Sequence, residues 1–299
     1  MRAAQASPMN LVVIVTGASR GLGRGIARAL GSLGATVYLT ARSDDGALKQ
    51  AAREVDAGGG RGIPVRCDHR ADDQVGELFA RVHAEQGSPD ILVNNAAAVY
   101  PEALLAPGGF WEKPLRLVDM IDVGLRSNYV ASFHAAPLMV EARRGLIVNI
   151  SFYGAVSYFH GAAYGAAKAG TDKMSHDMAI DLAPHGVAAV SLWPGLIMTD
   201  ALAAMPPERV PENLRGMLPQ FERPEFSGLV IGALYRDPEL RRLSGQTLIG
   251  AELGLKYGIK DLDGKQPISY RETMGSPSSW FGANTSIGED SCQHRSRRP

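Results

Sequence analysis

Leu11-Val-Val-Ile-Val-Thr-Gly-Ala-Ser-Arg-Gly-Leu-Gly23 decides how the rest of the chain is read. Leu11–Val15 is a short run rich in β-branched residues, which predicts a buried strand. It passes directly into Thr16–Gly23. Beyond it Leu22, Ile26, Leu30 and Leu33 recur at spacings of four, four and three, one face of a helix. A helix that opens straight after a glycine turn presents free N–H groups and a positive dipole end, which suits a phosphate. Gly17, Gly21 and Gly23 permit a tight turn and close backbone approach to a pyrophosphate, with Ser19, Arg20 and Leu22 completing its lining. The pattern is G-x-x-x-G-x-G rather than G-x-G-x-x-G, and by itself it also fits a flexible strand-to-helix loop.

Outward from this stretch, strands and helices alternate. Ala35–Thr40 reads as a second strand, Asp44–Ala57 as a helix ended by Gly58-Gly-Gly60, and Ile63–Cys67 as a third strand. Ala71–Gln86 is a helix, and Ile91–Val93 a fourth strand leading into Asn94-Asn-Ala-Ala97. Alternation with short connections predicts an α/β fold, a parallel sheet covered on both faces. Ligands on such sheets sit at the carboxyl ends of the strands, where Thr16, Arg42, Asp68, Asn95 (with Ala96) and Ser151 all fall. Asp68 is placed to meet the edge of an adenine ring. An acidic residue near the end of the second strand would hold a ribose 2′-hydroxyl, but Ala41-Arg42 stands there. A guanidinium can clamp a 2′-phosphate, and Arg20 supplies a second positive charge, so NADP(H) is favoured over NAD(H). The other reading of Arg42 is a solvated loop arginine.

A second decisive stretch is Val148-Asn-Ile-Ser-Phe-Tyr-Gly-Ala-Val-Ser-Tyr-Phe-His-Gly-Ala-Ala-Tyr-Gly-Ala-Ala-Lys168. With Leu146 and Ile147 it begins as a buried parallel strand ending at Ser151, and it closes in a helix from Ala162 to about Leu182. Tyr164 and Lys168, four residues apart, project from one helix face. A phenol titrates near pH ~10, and a neighbouring ammonium lowers that value toward usefulness in proton transfer. Ser151 is placed to hold a substrate oxygen in front of the phenol.

Phe110–Glu141 predicts a long, partly irregular helix with Gly124 inside it and Pro137 kinking it. Val187–Trp193 is a strand ending in Pro194-Gly195, after which Ile197 and Thr199 approach the nicotinamide end. Thr199–Arg223 carries four prolines and little periodicity, and reads as a mobile flap over the substrate. Pro224–Tyr235 is a helix and Gly245–Ile249 a last strand. Residues 1–10 read as an extension, 11–260 as a single domain and 261–299 as a polar tail, disordered or lightly packed because its composition cannot build a core.

Composition narrows the function classes. The chain has 299 residues, 45% of them hydrophobic, and its 31 Lys+Arg balance 31 Asp+Glu. No net field draws in nucleic acid or an anionic membrane. Cys67 and Cys292 are the two cysteines, which argues against a disulfide framework or a cysteine metal site; no metal is expected. Neither a signal peptide nor an apolar run of the ~20 residues a membrane span needs is present, and a cytoplasmic location is expected.

Taken together, Thr16–Gly23, Asn94–Ala97, Ser151, Tyr164-x-x-x-Lys168 and Pro194-Gly195 resemble the short-chain dehydrogenase/reductases over roughly residues 10–250, most closely the branch called dehydrogenase/reductase family member 1. Val123-Gly-Leu-Arg126, Val190-Ser-Leu-Trp-Pro-Gly195 and Tyr257-Gly-Ile-Lys-Asp-Leu-Asp-Gly264 carry the finer likeness. The resemblance implies a Rossmann-type, doubly wound, three-layer αβα domain that passes a hydride between a nicotinamide and a carbonyl or alcohol carbon. It implies Tyr164 as general acid or base, Lys168 binding the nicotinamide ribose and lowering the Tyr164 pKa, and Ser151 orienting the substrate oxygen. A homodimer or homotetramer built on helices 110–141 and 162–182 is implied too. Two departures stand out. Gly124 occupies the place of an asparagine that holds a relay water, so the relay is either rebuilt or open to solvent. Ala97 replaces a glycine.

The leading expectation is an NADP(H)-dependent reductase or dehydrogenase acting on a small apolar carbonyl or alcohol. The aromatic residues Phe152, Tyr153, Tyr158 and Phe159 suggest the apolar substrate, and equally they could simply pack the subunit. A non-catalytic NADP(H)-sensing or interaction protein on the same fold is the alternative, against which the intact Ser151, Tyr164 and Lys168 set argues. A methyltransferase is disfavoured because the acidic residue its sheet would need at the second strand's end is missing.

Overall fold

The structure, a computed structural model, describes residues 10–280 except 44, 45, 101, 104, 105 and 211. The predicted extension before Asn10, the start of the helix predicted from Asp44 and the last part of the tail lie outside the described residues.

The first half alternates β1 (Val12–Val15), α1 (Gly21–Ser32), β2 (Thr36–Ala41), α2 (Ala47–Ala57), β3 (Arg61–Arg66), α3 (Asp72–Gln86) and β4 (Ile91–Asn94). The second half adds α4 (Ser127–Ala142), β5 (Gly145–Ile150), α5 (Ala162–Leu182), β6 (Val187–Trp193), α6 (Pro224–Tyr235), β7 (Thr247–Ile249) and α7 (Gly250–Tyr257). All seven strands run parallel in the order β3-β2-β1-β4-β5-β6-β7. The winding direction therefore reverses between β1 and β4, and the crevice opens where they diverge.

Strand alternation sorts the core into two layers. Val13 and Val15 face α1, α2 and α6, packing with Ile26, Leu30, Val55, Phe226 and Val230. Val12 and Ile14 face α3, α4 and α5, packing with Val75, Phe79, Ala135, Met139 and Leu182. This is the doubly wound, three-layer arrangement expected from the alternation. No helix among the described residues is long and apolar enough to cross a membrane.

Three segments differ from the expectation. The long helix predicted over 110–141 is broken: Leu115–Val118 is a 3₁₀ turn, Asp119–Ile121 α-helical and Asp122–Arg126 a π turn before α4 begins, with Pro137 inside α4. The flap is a chain of short helical turns at Asp200–Ala203, Pro207–Arg209, Glu212–Arg215 and Leu218–Gln220, and it shares a cavity of about 610 Å³ with Arg223, Asp263 and Lys265. That cavity, lined by Met198, Leu202, Met205 and Phe221, does not include Tyr164.

The tail expected to be loose is packed as far as it is described. Asp261 accepts the Arg223 N–H at 2.7 Å, and Tyr270 is buried, with its N–H donated to the Tyr153 hydroxyl at 3.0 Å. A short helix follows at Arg271–Met274, and Arg271 forms an ion pair with Glu252 at 2.7 Å. One well-placed aromatic ring anchors a segment whose average composition is too polar to suggest burial.

Candidate active site

The glycine turn joins β1 to α1 at the crevice. Gly17 and Gly21 have φ of +64° and +55°, the region where a side chain is strained. A Cβ on Gly23 would stand 2.4 Å from Asn95 Nδ2 and 2.5 Å from the Gly17 carbonyl, so only glycine fits. A Cβ on Gly21 would meet nothing nearer than Thr199 Cγ2, at 3.8 Å, an ordinary contact distance. No side chain caps α1, and its first turn carries no acid. A cradle without side chains at an uncapped helix N-terminus fits the pyrophosphate of a dinucleotide.

Asn95, expected to touch the cofactor, braces the cradle: Nδ2 donates to the carbonyls of Thr16 at 2.9 Å and Gly17 at 3.1 Å. Thr16 Oγ1 in turn accepts the N–H groups of Asn95 and Ala96, both at 2.9 Å. Arg20 and Arg42 are exposed, and Arg66 Nε reaches the Arg42 carbonyl at 3.3 Å. Asp68 follows β3, where its Oδ1 accepts the Arg70 N–H at 3.1 Å. Beside it lies His69, which the sequence reading passed over. Burial pushes its imidazole down to about 4, and Nε2 sits 2.7 Å from Thr40 Oγ1. Ser19 and Leu22 are half-buried on the turn, with Leu22 against the core.

On the other side of the crevice, Ser151 follows the end of β5, and α5 carries Tyr164 and Lys168. The Lys168 ammonium lies over the Tyr164 ring, 5.6 Å from its centroid, and donates to the Ile150 carbonyl at 3.0 Å. Ser151 Oγ donates to the Lys168 carbonyl at 3.1 Å. Both Ser151 and Tyr164 are thus tied to Lys168. The expected electrostatics need correction, however. Burial pushes the Tyr164 phenol up from its ordinary value rather than down, because desolvation disfavours phenolate. Loss of water also pushes the Lys168 ammonium down to about 8, a fall that the charge of Asp172 opposes.

At the place of the missing relay asparagine, a Cβ on Gly124 would meet nothing nearer than Ala167 Cβ, at 3.9 Å. The Gly124 carbonyl in the π turn accepts Asn128 Nδ2 at 3.0 Å and Thr171 Oγ1 at 3.4 Å. Behind it Asn94, Ser132, Asn149 and Ser175 form a buried hydrogen-bonded chain. Pro194 and Gly195 are buried at the end of β6. Ile197 pairs with Glu222 in an isolated bridge, and Thr199 Oγ1 accepts the Leu202 N–H at 3.3 Å.

Sequence reasoning missed Glu222 and Asp172. Glu222 is buried, accepts from Ser227 Oγ at 3.3 Å, and is pushed up to about 8 by desolvation. Asp172 lies one turn beyond Lys168, a spacing visible in the sequence; its partners on β6 were not. The aromatic residues split between two roles. Phe152, Tyr153 and Trp193 are core, while Phe159 is half-buried at the cluster's edge, where Tyr164, Leu196, Met217 and Met274 also pack, and Tyr158 is exposed.

A family model described as short chain dehydrogenase matches residues 11–209. The chain is 44% identical over 268 residues to "Dehydrogenase/reductase SDR family member 1" of Mus musculus, covering 87% of this chain and 85% of the relative. A metagenomic short-chain oxidoreductase solved in complex with NADP superposes with a TM-score of 0.65 at 32% identity, covering 82% of this chain and 98% of that one. A point variant of actinorhodin polyketide ketoreductase solved with NADPH superposes with a TM-score of 0.70 at 26% identity, covering 82% and 97%.

Proposed function

The chain belongs to the short-chain dehydrogenase/reductase family, enzymes that act on CH–OH and C=O groups with a nicotinamide cofactor, and from that premise we propose that it is an NADP(H)-dependent carbonyl reductase with Tyr164 as its proton donor. The observation that carries this reading is the tie of Ser151 and Tyr164 to Lys168 beside an open glycine cradle.

A bound NADPH would supply a hydride from C4 of its nicotinamide to the carbonyl carbon. Tyr164 gives its phenolic proton to the carbonyl oxygen, which becomes the alcohol hydroxyl, and in the reverse direction the phenolate takes that proton back. Lys168 binds the nicotinamide ribose and offers its positive charge to the forming phenolate. Ser151 holds the substrate oxygen in line. Preference for the 2′-phosphate rests on exposed Arg20 and Arg42, with Ala41-Arg42 where an acid would reject it. The NADP and NADPH complexes of the two similar structures lend the same support.

The substrate is an apolar carbonyl compound, a reading supported by half-buried Phe159, Leu196, Met217 and Met274, which share with Tyr164 the edge of one aromatic cluster. Self-association through α4 and α5 is supported by exposed Tyr129, Phe133 and Ile180, and a cytosolic location by an unpaired, buried Cys67.

The test is NADPH titration followed by a carbonyl panel of ketosteroids, quinones, aldehydes and β-ketoesters. Y164F is expected to bind NADPH normally and to lose turnover by a factor on the order of 10²–10⁴. Equal rates in Y164F and wild type overturn the assignment.

A further inference from the structure

Tyr164, Lys168 and Asp172 stand at successive turns of α5, and the third of them has no part in the chemistry described so far. Asp172 is buried, and the groups that donate to its carboxylate come from outside its own helix. Ser191 Oγ donates to Oδ1 at 2.6 Å, and the Trp193 indole N–H is shared between Oδ1 at 3.1 Å and Oδ2 at 3.2 Å. Ser191 and Trp193 are themselves fully buried on β6. Lys168 stands one turn earlier on the same helix face, with Ser151 Oγ on its carbonyl at 3.1 Å; burial pushes the Asp172 carboxyl up, and the Ser191, Ser151 and Trp193 donors and the Lys168 charge oppose that rise.

A carboxylate in such a place is costly unless it is paired and hydrogen-bonded, and an apolar residue would fill the space at less expense. Its neighbours explain its presence. One side chain ties together three walls of the crevice: the helix that carries the ammonium, the end of β5 that leads into Ser151, and the end of β6 from which Pro194-Gly195 emerges. Trp193 extends the tie, since its ring packs 4.8 Å from that of Tyr153 in the turn that follows Ser151.

We infer that Asp172 is a positioning residue for the reaction, the buried counter-charge against which Lys168 and Ser151 are set. It acts through those two groups and does not itself touch the reacting atoms. The inference rests on the reductase reading above. Among the described residues Asp172 is the one charge acting on Lys168. The other groups facing the pair are neutral: Ser151 and the Ile150 carbonyl from β5 and its end, Ser191 and Trp193 from β6, and the Tyr164 phenol on α5 itself. Removing the anion therefore leaves desolvation of the ammonium unopposed, and Lys168 gives up its proton at lower pH.

The test follows NADPH affinity by its fluorescence from about pH 6 to pH 10, in the full-length protein, for wild type, D172N and D172E. Turnover of the fastest carbonyl in the panel is profiled in parallel. Wild type is expected to lose affinity and turnover along an alkaline limb set by Lys168. In D172N that limb moves to lower pH by about one unit or more, with the loss of turnover falling on kcat rather than KM. D172E, which keeps the charge, restores the limb toward wild type. Should D172N fail to fold by circular dichroism, D172S carries the same neutral test with a hydroxyl still available to Ser191.

A D172N or D172S limb coincident with wild type, whatever the change in melting temperature, shows that Asp172 only accepts hydrogen bonds, and overturns the inference. The two proposals fail separately. Full turnover in Y164F removes the reductase reading, whereas an inactive Y164F with an unmoved neutral-variant limb removes only the role of Asp172.

Discussion

The Lys168 ammonium sits 5.6 Å from the centroid of the Tyr164 ring, over its face, and its hydrogen bond goes to the Ile150 carbonyl. The cation is close enough to sense the phenol, yet it is anchored to the strand rather than to the ring. Burial holds the phenol in its acid form, the form reduction needs, while the ammonium is the weaker of the two holds on a proton.

That ordering sets the pH dependence of turnover. Tyr164 stays protonated well past neutrality, because its value lies above that of a free phenol. Lys168, at about 8, loses its charge first as pH rises. Reductive kcat/KM is therefore expected to be flat through neutral pH and to fall as pH climbs past that value. K168R, whose guanidinium keeps its proton, moves the reductive limb upward; initial rates of NADPH consumption check it.

Arg20, in the glycine turn, and Arg42, just past β2, are exposed, and the proposed function assigns them to the 2′-phosphate. A charge-assisted hydrogen bond to a phosphate contributes about 1.5–3 kcal/mol. R42A is expected to weaken NADPH binding by roughly 10–100-fold while NADH affinity holds, and R20A to act in the same sense. The difference between the two cofactors should shrink in high salt. Isothermal titration with each cofactor reads it directly, and an R42A that weakens both equally removes the 2′-phosphate role.

Gly154 backs the Tyr164 ring. A Cβ there would lie 2.5 Å from Tyr164 Cε1 and 2.8 Å from Cδ1. G154A must push the phenol aside or shift the turn at Tyr153–Ala155, at a cost of about 1–3 kcal/mol. NADPH affinity is expected to survive because the cradle is untouched, and kcat to drop. Thermal melts and single-turnover rates separate the two effects.

Glu222 makes a stability prediction. Burial raises its folded-state value to about 8, against ~4.3 for a free glutamate. Its contribution to stability is complete below the unfolded value and drains away as pH rises toward the folded one, because the unfolded chain ionises first. E222Q, neutral at every pH, is expected to melt higher than wild type at pH near 8, with the gap closing as pH falls toward ~4.3. A gap that stays constant with pH would mean that Glu222 does not change its ionisation on folding.

Much of the fold is legible because its signals are local. The bounds expected for Ala162–Leu182, Val187–Trp193 and Pro224–Tyr235 are those observed, since long periodic or continuously apolar segments carry their own evidence. The glycine turn and the four-residue step from Tyr164 to Lys168 are equally plain. What cannot be read depends on contacts between distant parts of the chain. Asp172 gains meaning from Ser191 and Trp193, and Tyr270 is a single ring in a polar stretch whose partner, Tyr153, lies 117 residues earlier. The direction of the Tyr164 shift escapes the sequence for a related reason: a neighbouring cation can be counted from spacing, but desolvation requires knowing what encloses the ring.

The π turn at Asp122–Arg126 holds one residue more than a regular helical turn would. Deleting that residue would leave α4 and the sheet in register and swing everything before it by about 100° around the helix axis. The contacts of Asp119 with Arg70 and Tyr100 would be the first to break. Such a joint lets a single-codon insertion or deletion re-aim the chain before it while α4 keeps its seat on the sheet.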